Sequence, residues 1–365
     1  MRRAYKASEI FTGESILRNH QVVIENGQIE KVVPASETES DITVTDLGEN
    51  MILPGWVDAQ VYGAAGLLFA QFPVPETLKV MNDEFIKTGT VAFLPTIASN
   101  PPETVKKCID AVRKYLDNKG GGVTGLHLEG PWFNEKKRGA HIREWIHPPS
   151  KQEVKELLKY GEGVIKVITL APEVCGEGII EMILDHGVSV SAGHSDATYA
   201  EAMMGFQRGI KTVTHLYNAM SSLHHREPGL VGATLHHSYV TSSIIPDGHH
   251  VSYEAIAIAK KMMGNRLFAI TDAVTETTEG PYRHHLAGDK YECNGILSGS
   301  ALTMHGAFKN LVEKVKISLE ESARMCSLYP SMTMGCNDRY GKIAPGYAGQ
   351  FLAINKQLEM AAIIT

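Results

Sequence analysis

Four polar residues stand directly at the ends of apolar runs in this chain. Glu129 ends the run 123–128, His194 follows 188–193, His215 closes Thr212-Val213-Thr214, and Asp272 follows 267–271. Such runs read as strands buried on both faces, where a carboxylate or an imidazole has no ordinary place. A lone histidine there is a hydrogen-bonded core residue, and a lone carboxylate is a cap or a helix N-terminal charge. Four at equivalent strand ends point to a shared task. Two imidazole nitrogens and one carboxylate oxygen, from His194, His215 and Glu129, make a three-ligand set with a coordination position left open, which is the catalytic zinc arrangement. Zinc suits these ligands, and Fe, Co, Ni or Mn would also accept them. Water on such a cation ionises near pH ~7 instead of about 15.7. Asp272 is then the proton shuttle, a role worth roughly 10²- to 10⁴-fold in rate.

Positioning these residues requires that the strand ends converge. Eight short apolar runs, at 53–61, 91–97, 123–128, 165–170, 188–192, 212–216, 243–246 and 267–271, alternate with segments of helical spacing at 75–88, 102–118, 151–160, 178–186, 200–208 and 253–263. That alternation predicts an α/β fold, a (β/α)8 barrel whose strand C-termini meet on one face. A doubly wound sheet ranks second, because Gly63-Ala64-Ala65-Gly66 lacks the G-x-G-x-x-G order. Asn26-Gly27, between 21–24 and 29–33, predicts a β-hairpin, and Gly13-Glu14 marks another turn. A β-rich stretch at 350–355 lies near the other end. Residues 1–53 and 342–365 are therefore expected to form a small β domain, a β-sandwich built from both chain ends, beside a barrel at 54–341. The connection 217–240 is unusually long, and long loops in compact domains are functional more often than idle.

The formal charge of −6 repels a polyphosphate backbone, which argues against a nucleic-acid partner. Five cysteines, an odd number without C-x-x-C spacing, suggest neither disulfides nor a structural zinc cluster, so a reducing cytoplasm is the expected location. No run of about 18 apolar residues appears, and no membrane association is expected.

At these same residues the sequence resembles a known family. Leu53-Pro54-Gly55-Trp56-Val57-Asp58, His127-Leu128-Glu129-Gly130-Pro131, Ser191-Ala192-Gly193-His194-Ser195, Thr214-His215-Leu216-Tyr217-Asn218-Ala219-Met220 and Thr271-Asp272-Ala273 together resemble the N-acetylglucosamine-6-phosphate deacetylases of the amidohydrolase superfamily. Gly139-Ala140-His141, Arg226-Glu227-Pro228-Gly229-Leu230, Asp247-Gly248-His249-His250-Val251, Leu297-Ser298-Gly299-Ser300 and Gly341-Lys342-Ile343-Ala344-Pro345-Gly346 agree in order. The resemblance implies hydrolysis of the acetamide of a 6-phosphorylated amino sugar. Glu129, His194 and His215 would hold one divalent metal per subunit, most simply Zn2+, with Asp272 as general base and acid. Ala140 and His141 would contact the substrate near the scissile amide, and Asn218 and Ala219 would meet it at the loop mouth. Leu297, Ser298 and Gly299 would surround the acetyl end. The segment Asp247, Gly248, His249 and His250 would also bind substrate. Arg226 and His250 would bind phosphate in the site of the neighbouring subunit of a homodimer.

This chain departs from the family at the first barrel strand. Many amidohydrolases carry an H-x-H pair there for a second metal, whereas this chain has Gln60-Val61-Tyr62, so one metal is expected. Residues 63–69 are more apolar than usual, which leaves room for a longer acyl group. The stretch after Gly349 is short, so the small sheet is expected to lack its last hairpin. His236, His237, His284 and His285 match no motif and read as surface residues. Two other readings stay open: a sugar-phosphate sensor without turnover, and an amidohydrolase acting on a cyclic or longer acyl amide.

Overall fold

The protein is described by a computed structural model covering residues 2–37 and 42–365. Eight parallel strands follow one another around a barrel. They are β1 (Trp56–Val61), β2 (Thr90–Ala98), β3 (Leu126–Glu129), β4 (Ile165–Leu170), β5 (Ser189–Ala192), β6 (Thr212–Val213), β7 (Thr241–Ile244) and β8 (Leu267–Ala269). Every residue of β1 and β3 is buried, the polar Asp58, Gln60, His127 and Glu129 included. The ring closes just past the strand ends, where Asp272 N–H donates to the Gln60 carbonyl at 3.0 Å and Tyr62 N–H to the Ala273 carbonyl at 2.9 Å. Gln60, Tyr62 and Asp272 thereby meet at one point of the rim.

Helices cover the outside where their periodicity predicted them. Pro75–Lys87 and Pro102–Asp117 each start on a proline, whose missing N–H costs nothing in a first turn. Lys151–Tyr160 and Tyr199–Gln207 start in capping boxes, Ser150 with Glu153 and Thr198 with Glu201. No described helix is long and apolar enough to cross a membrane.

Asp58 locks the barrel seam from inside. Its carboxylate accepts from Thr271 Oγ1, from Thr271 N–H at 3.2 Å and from Gln60 N–H at 3.3 Å. Burial outweighs these hydrogen bonds and pushes its carboxyl up from 3.8 to about 6. The folded state thus holds this proton more tightly than the unfolded chain does. Its contribution to stability is full below the unfolded value and falls as pH rises towards 6, by about 3 kcal/mol in all. Asp58→Asn should therefore flatten stability between about pH 4 and pH 6 in urea titrations. An unchanged slope would show that Asp58 is ionised freely in the fold.

The chain ends build two further sheets. One runs Gln28–Pro34, His20–Glu25, Arg2–Lys6, Thr43–Asp46; the other runs Met360–Ile364, Phe351–Ile354, Met51–Pro54, Glu9–Phe11, Ile16–Arg18. Ile10, Val22, Ile24, Ile29, Ile52, Phe351 and Ile364 form one apolar core from both. At the hairpin joining His20–Glu25 to Gln28–Pro34, Asn26 and Gly27 take φ of 51° and 79°, the left-handed pair that a tight hairpin needs.

Three expectations change. The run 53–61 is two strands in different sheets, split at Gly55, where an added Cβ would meet Val91 Cγ2 at 2.5 Å. The last hairpin is present: Phe351–Ile354 pairs antiparallel with Met360–Ile364. The connection 217–240 is not all loop, since Gly229–His236 is a helix. Its residues Gly229 to Leu235 are all buried, so it lacks the polar face that would have announced it.

Candidate active site

The C-terminal ends of β3, β5, β6 and β8 bring Glu129, His194, His215 and Asp272 to one face of the barrel. Glu129 Oε1 lies 3.4 Å from His194 Nε2 and 3.2 Å from His215 Nε2, and the two Nε2 atoms are 3.1 Å apart. Ligand atoms at about 2.0–2.1 Å around a tetrahedral ion sit ~3.3 Å from one another. The triangle therefore has the edge lengths of three tetrahedral vertices. Two facing imidazole nitrogens cannot both present lone pairs, or both protons, at this distance without a cation or a shared proton between them.

Backbone conformation aims these side chains. His194, His215 and Asp272 take φ of 49°, 38° and 53°, the left-handed region that non-glycine residues avoid. Each costs on the order of 1–3 kcal/mol, a strain that clusters at functional sites. It turns each residue off its strand just past the last ladder bond. The Lys137 carbonyl, 2.9 Å from His194 Nδ1, accepts that proton and leaves the Nε2 lone pair facing inward. Phe133, fully buried, stacks on His194 with ring centroids 4.2 Å apart and meets His141 edge-on at 4.9 Å.

A fourth group competes for the ligand role. Glu129, His141 and His194 also lie close enough together to hold a metal. His141 Nδ1, however, accepts the Ser99 backbone N–H at 3.1 Å, so its proton sits on Nε2 and points at Glu129 Oε2, 3.2 Å away. His141 presents a donor, whereas His194 presents a lone pair. This favours Glu129, His194 and His215 as the residues suited to a divalent metal.

Electrostatics agrees with such a site. Burial works against the Glu129 charge, yet the imidazoles of His141, His194 and His215 gathered around it hold its carboxyl well below the usual range. Burial lowers His194 to about 4 and keeps it neutral. For His215 burial is again the largest influence, but the bond and charge of Glu129 overcome it and raise the imidazole. Burial and then the Glu129 charge hold Asp272 well above the usual carboxylate range.

These groups floor a cavity of about 230 Å³. Of the residues expected to bind substrate, Ala140, His141, Asn218, Ala219, His250, Leu297, Ser298 and Gly299 line it. Gly299 is needed where it stands: its φ is 74°, and a Cβ would meet the Asp272 carbonyl at 2.8 Å. Arg226, Asp247, Gly248 and His249 lie outside the lining. Arg226 is on an exposed loop. Asp247 instead orients His250, accepting from its Nδ1 at 2.6 Å and from the backbone of His249 and His250. His250 thus lines the pocket of its own chain, which differs from the expectation that it serves a neighbour's.

His284 corrects the surface reading: it is buried, lines the pocket and bonds Ser298 Oγ at 2.9 Å through Nδ1. Nothing local in the sequence marks it, because its partner lies across a hairpin. Tyr282, Val274 and Phe133 were also missed, although Val274 stands only two residues from Asp272.

Residues 51–365 match the Amidohydrolase family and residues 4–52 the NagA composite domain. The N-acetylglucosamine-6-phosphate deacetylase of Haemophilus influenzae is 35% identical over 348 residues, 92% of this chain and 91% of that protein. The N-acetylgalactosamine-6-phosphate deacetylase of Escherichia coli O157:H7 is 29% identical over 100% of this chain and 98% of its own. The crystal structure of N-acetylglucosamine-6-phosphate deacetylase from Pasteurella multocida superimposes with a TM-score of 0.93 at 30% identity, covering 100% of this chain and 98% of that one.

Proposed function

The chain belongs to the amidohydrolase family, and from that premise we propose that it is a metal-dependent deacetylase converting N-acetyl-D-glucosamine 6-phosphate to D-glucosamine 6-phosphate and acetate. The observation that carries this reading is the Glu129, His194 and His215 triangle set beside a buried Asp272 in one cavity. We assign these three residues to one divalent cation, with zinc as our choice. When bound, such an ion polarises a carbonyl oxygen and acidifies water. Gln60 ties down Asp272 Oδ1 at 2.7 Å, so Oδ2 is the atom we assign to taking the water's proton and returning it to the leaving nitrogen. The His141 Nε2 proton is placed to bind the substrate near the scissile amide. Ala140, Asn218 and Ala219 would hold the sugar, and Leu297, Ser298 and Gly299 the acetyl end.

For the phosphate we propose Arg226 from a second copy of the chain, with His250 held by Asp247 in the turn that Gly248 and His249 complete. Exposed Met204, Leu223, Ile258 and Met262, on and around the helices flanking the Arg226 loop, support a homodimer. The same reading takes 1–53 and 342–365 as one unit, 54–341 as the catalytic barrel and the cytoplasm as the location.

An acetate-release assay tests the function. N-acetylglucosamine 6-phosphate should yield acetate, a chelator should abolish the yield, and zinc should restore it. N-acetylgalactosamine 6-phosphate is the informative contrast, given the E. coli relative's name. Saturable binding without acetate would favour the sensor, and no acetate from either sugar after metal addition would end the proposal. Arg226→Ala should raise KM for the phosphorylated substrate by roughly 10- to 100-fold, the worth of a charge-assisted fork. The unphosphorylated sugar should not respond. Equal KM values in the variant and the parent would remove Arg226 from the site.

A further inference from the structure

Two side chains at the end of β1 face the reacting groups without serving as ligand or base. Gln60 Nε2 lies 2.7 Å from Glu129 Oε1, 2.7 Å from Asp272 Oδ1 and 2.9 Å from Tyr62 Oη. The Tyr62 hydroxyl donates to Glu129 Oε2, the oxygen that also receives His141 Nε2 at 3.2 Å. Glu129 is consequently divided: Oε1 faces His194, His215 and the Gln60 amide, while Oε2 is taken by the Tyr62 hydroxyl and His141.

Two buried carboxyl groups facing one another need a cation, a shared proton or hydrogen-bond donors between them. In many metal sites a second cation serves. Here the amide protons of Gln60 and the phenol proton of Tyr62 occupy that space.

We propose that Tyr62 is a positioning residue that keeps Glu129 a one-oxygen ligand and, with Gln60, fills the gap between Glu129 and Asp272 where a second cation would sit. The inference rests on the metal-site reading above and extends it to stoichiometry and ligand mode.

Cobalt(II) titration of the metal-stripped full chain tests it, with bound equivalents measured by elemental analysis and coordination by visible absorption. Wild type should saturate at one equivalent. Tyr62→Phe keeps the ring and removes one of the two donors from Oε2; its cobalt form should absorb more weakly in the visible than wild type as the coordination number rises. Gln60→His alone, with Tyr62 in place, should stay at one equivalent, whereas Gln60→His combined with Tyr62→His should take two. The inference is overturned if Tyr62→Phe keeps the wild-type spectrum or if Gln60→His alone takes two equivalents. Two equivalents in the wild type would overturn it while leaving the deacetylase reading intact. A wild type that takes up no cobalt and releases no acetate would sink both.

Discussion

Asp272→Asn should lower kcat for acetate release by roughly 10²- to 10⁴-fold, about 3–5 kcal/mol of barrier, with KM and bound metal nearly unchanged. The substitution keeps the shape of the side chain and its Oδ1, which accepts from Gln60 Nε2 at 2.7 Å. What it removes is the oxygen that can hold a proton. Asp272 is not needed for the Glu129, His194 and His215 triangle, so the metal content should stay near one equivalent. Turnover above about a tenth of wild type would assign proton transfer to another group, and lost metal would make Asp272 a ligand.

Glu129→Gln should have the larger effect, abolishing both metal binding and turnover. Gln60 Nε2, Tyr62 Oη and His141 Nε2 all donate towards the Glu129 carboxylate. A carboxamide has one accepting oxygen, so its NH2 must face at least one of these donors in a buried site. That leaves an unmade hydrogen bond worth about 1–3 kcal/mol in addition to the lost charge. The variant should therefore melt lower than wild type and carry less than about a tenth of an equivalent of metal after dialysis. Full metal content in a folded Glu129→Gln protein would transfer the ligand role to His141 with His194. The paired control is His141→Ala, which should keep its metal.

Much of this architecture is legible in the sequence. The alternation of runs and helical segments reproduced all eight barrel strands, because strands covered by helices on one side and core on the other must be apolar throughout. Glu129, His194, His215 and Asp272 stood out for the same reason, as polar residues where burial forbids them without partners. The errors fell where local pattern carries no signal. The helix Gly229–His236 is apolar on every side, and Gly55 divides two strands whose residues are equally buried.

Local sequence marks which chemistry-bearing residues sit at strand ends, since burial and periodicity are written in neighbouring residues. How they face one another is set by the folded barrel. The Tyr62 hydroxyl on Glu129, the tautomer of His141 set by Ser99, and the inward turn of His250 and His284 all depend on partners brought together by the closing barrel and its loops. Gln60 and Asp272 stand 212 residues apart in the chain yet share two hydrogen bonds, one through the backbone and one through their side chains. No neighbouring residue encodes that distance; the stagger and closure of eight strands do.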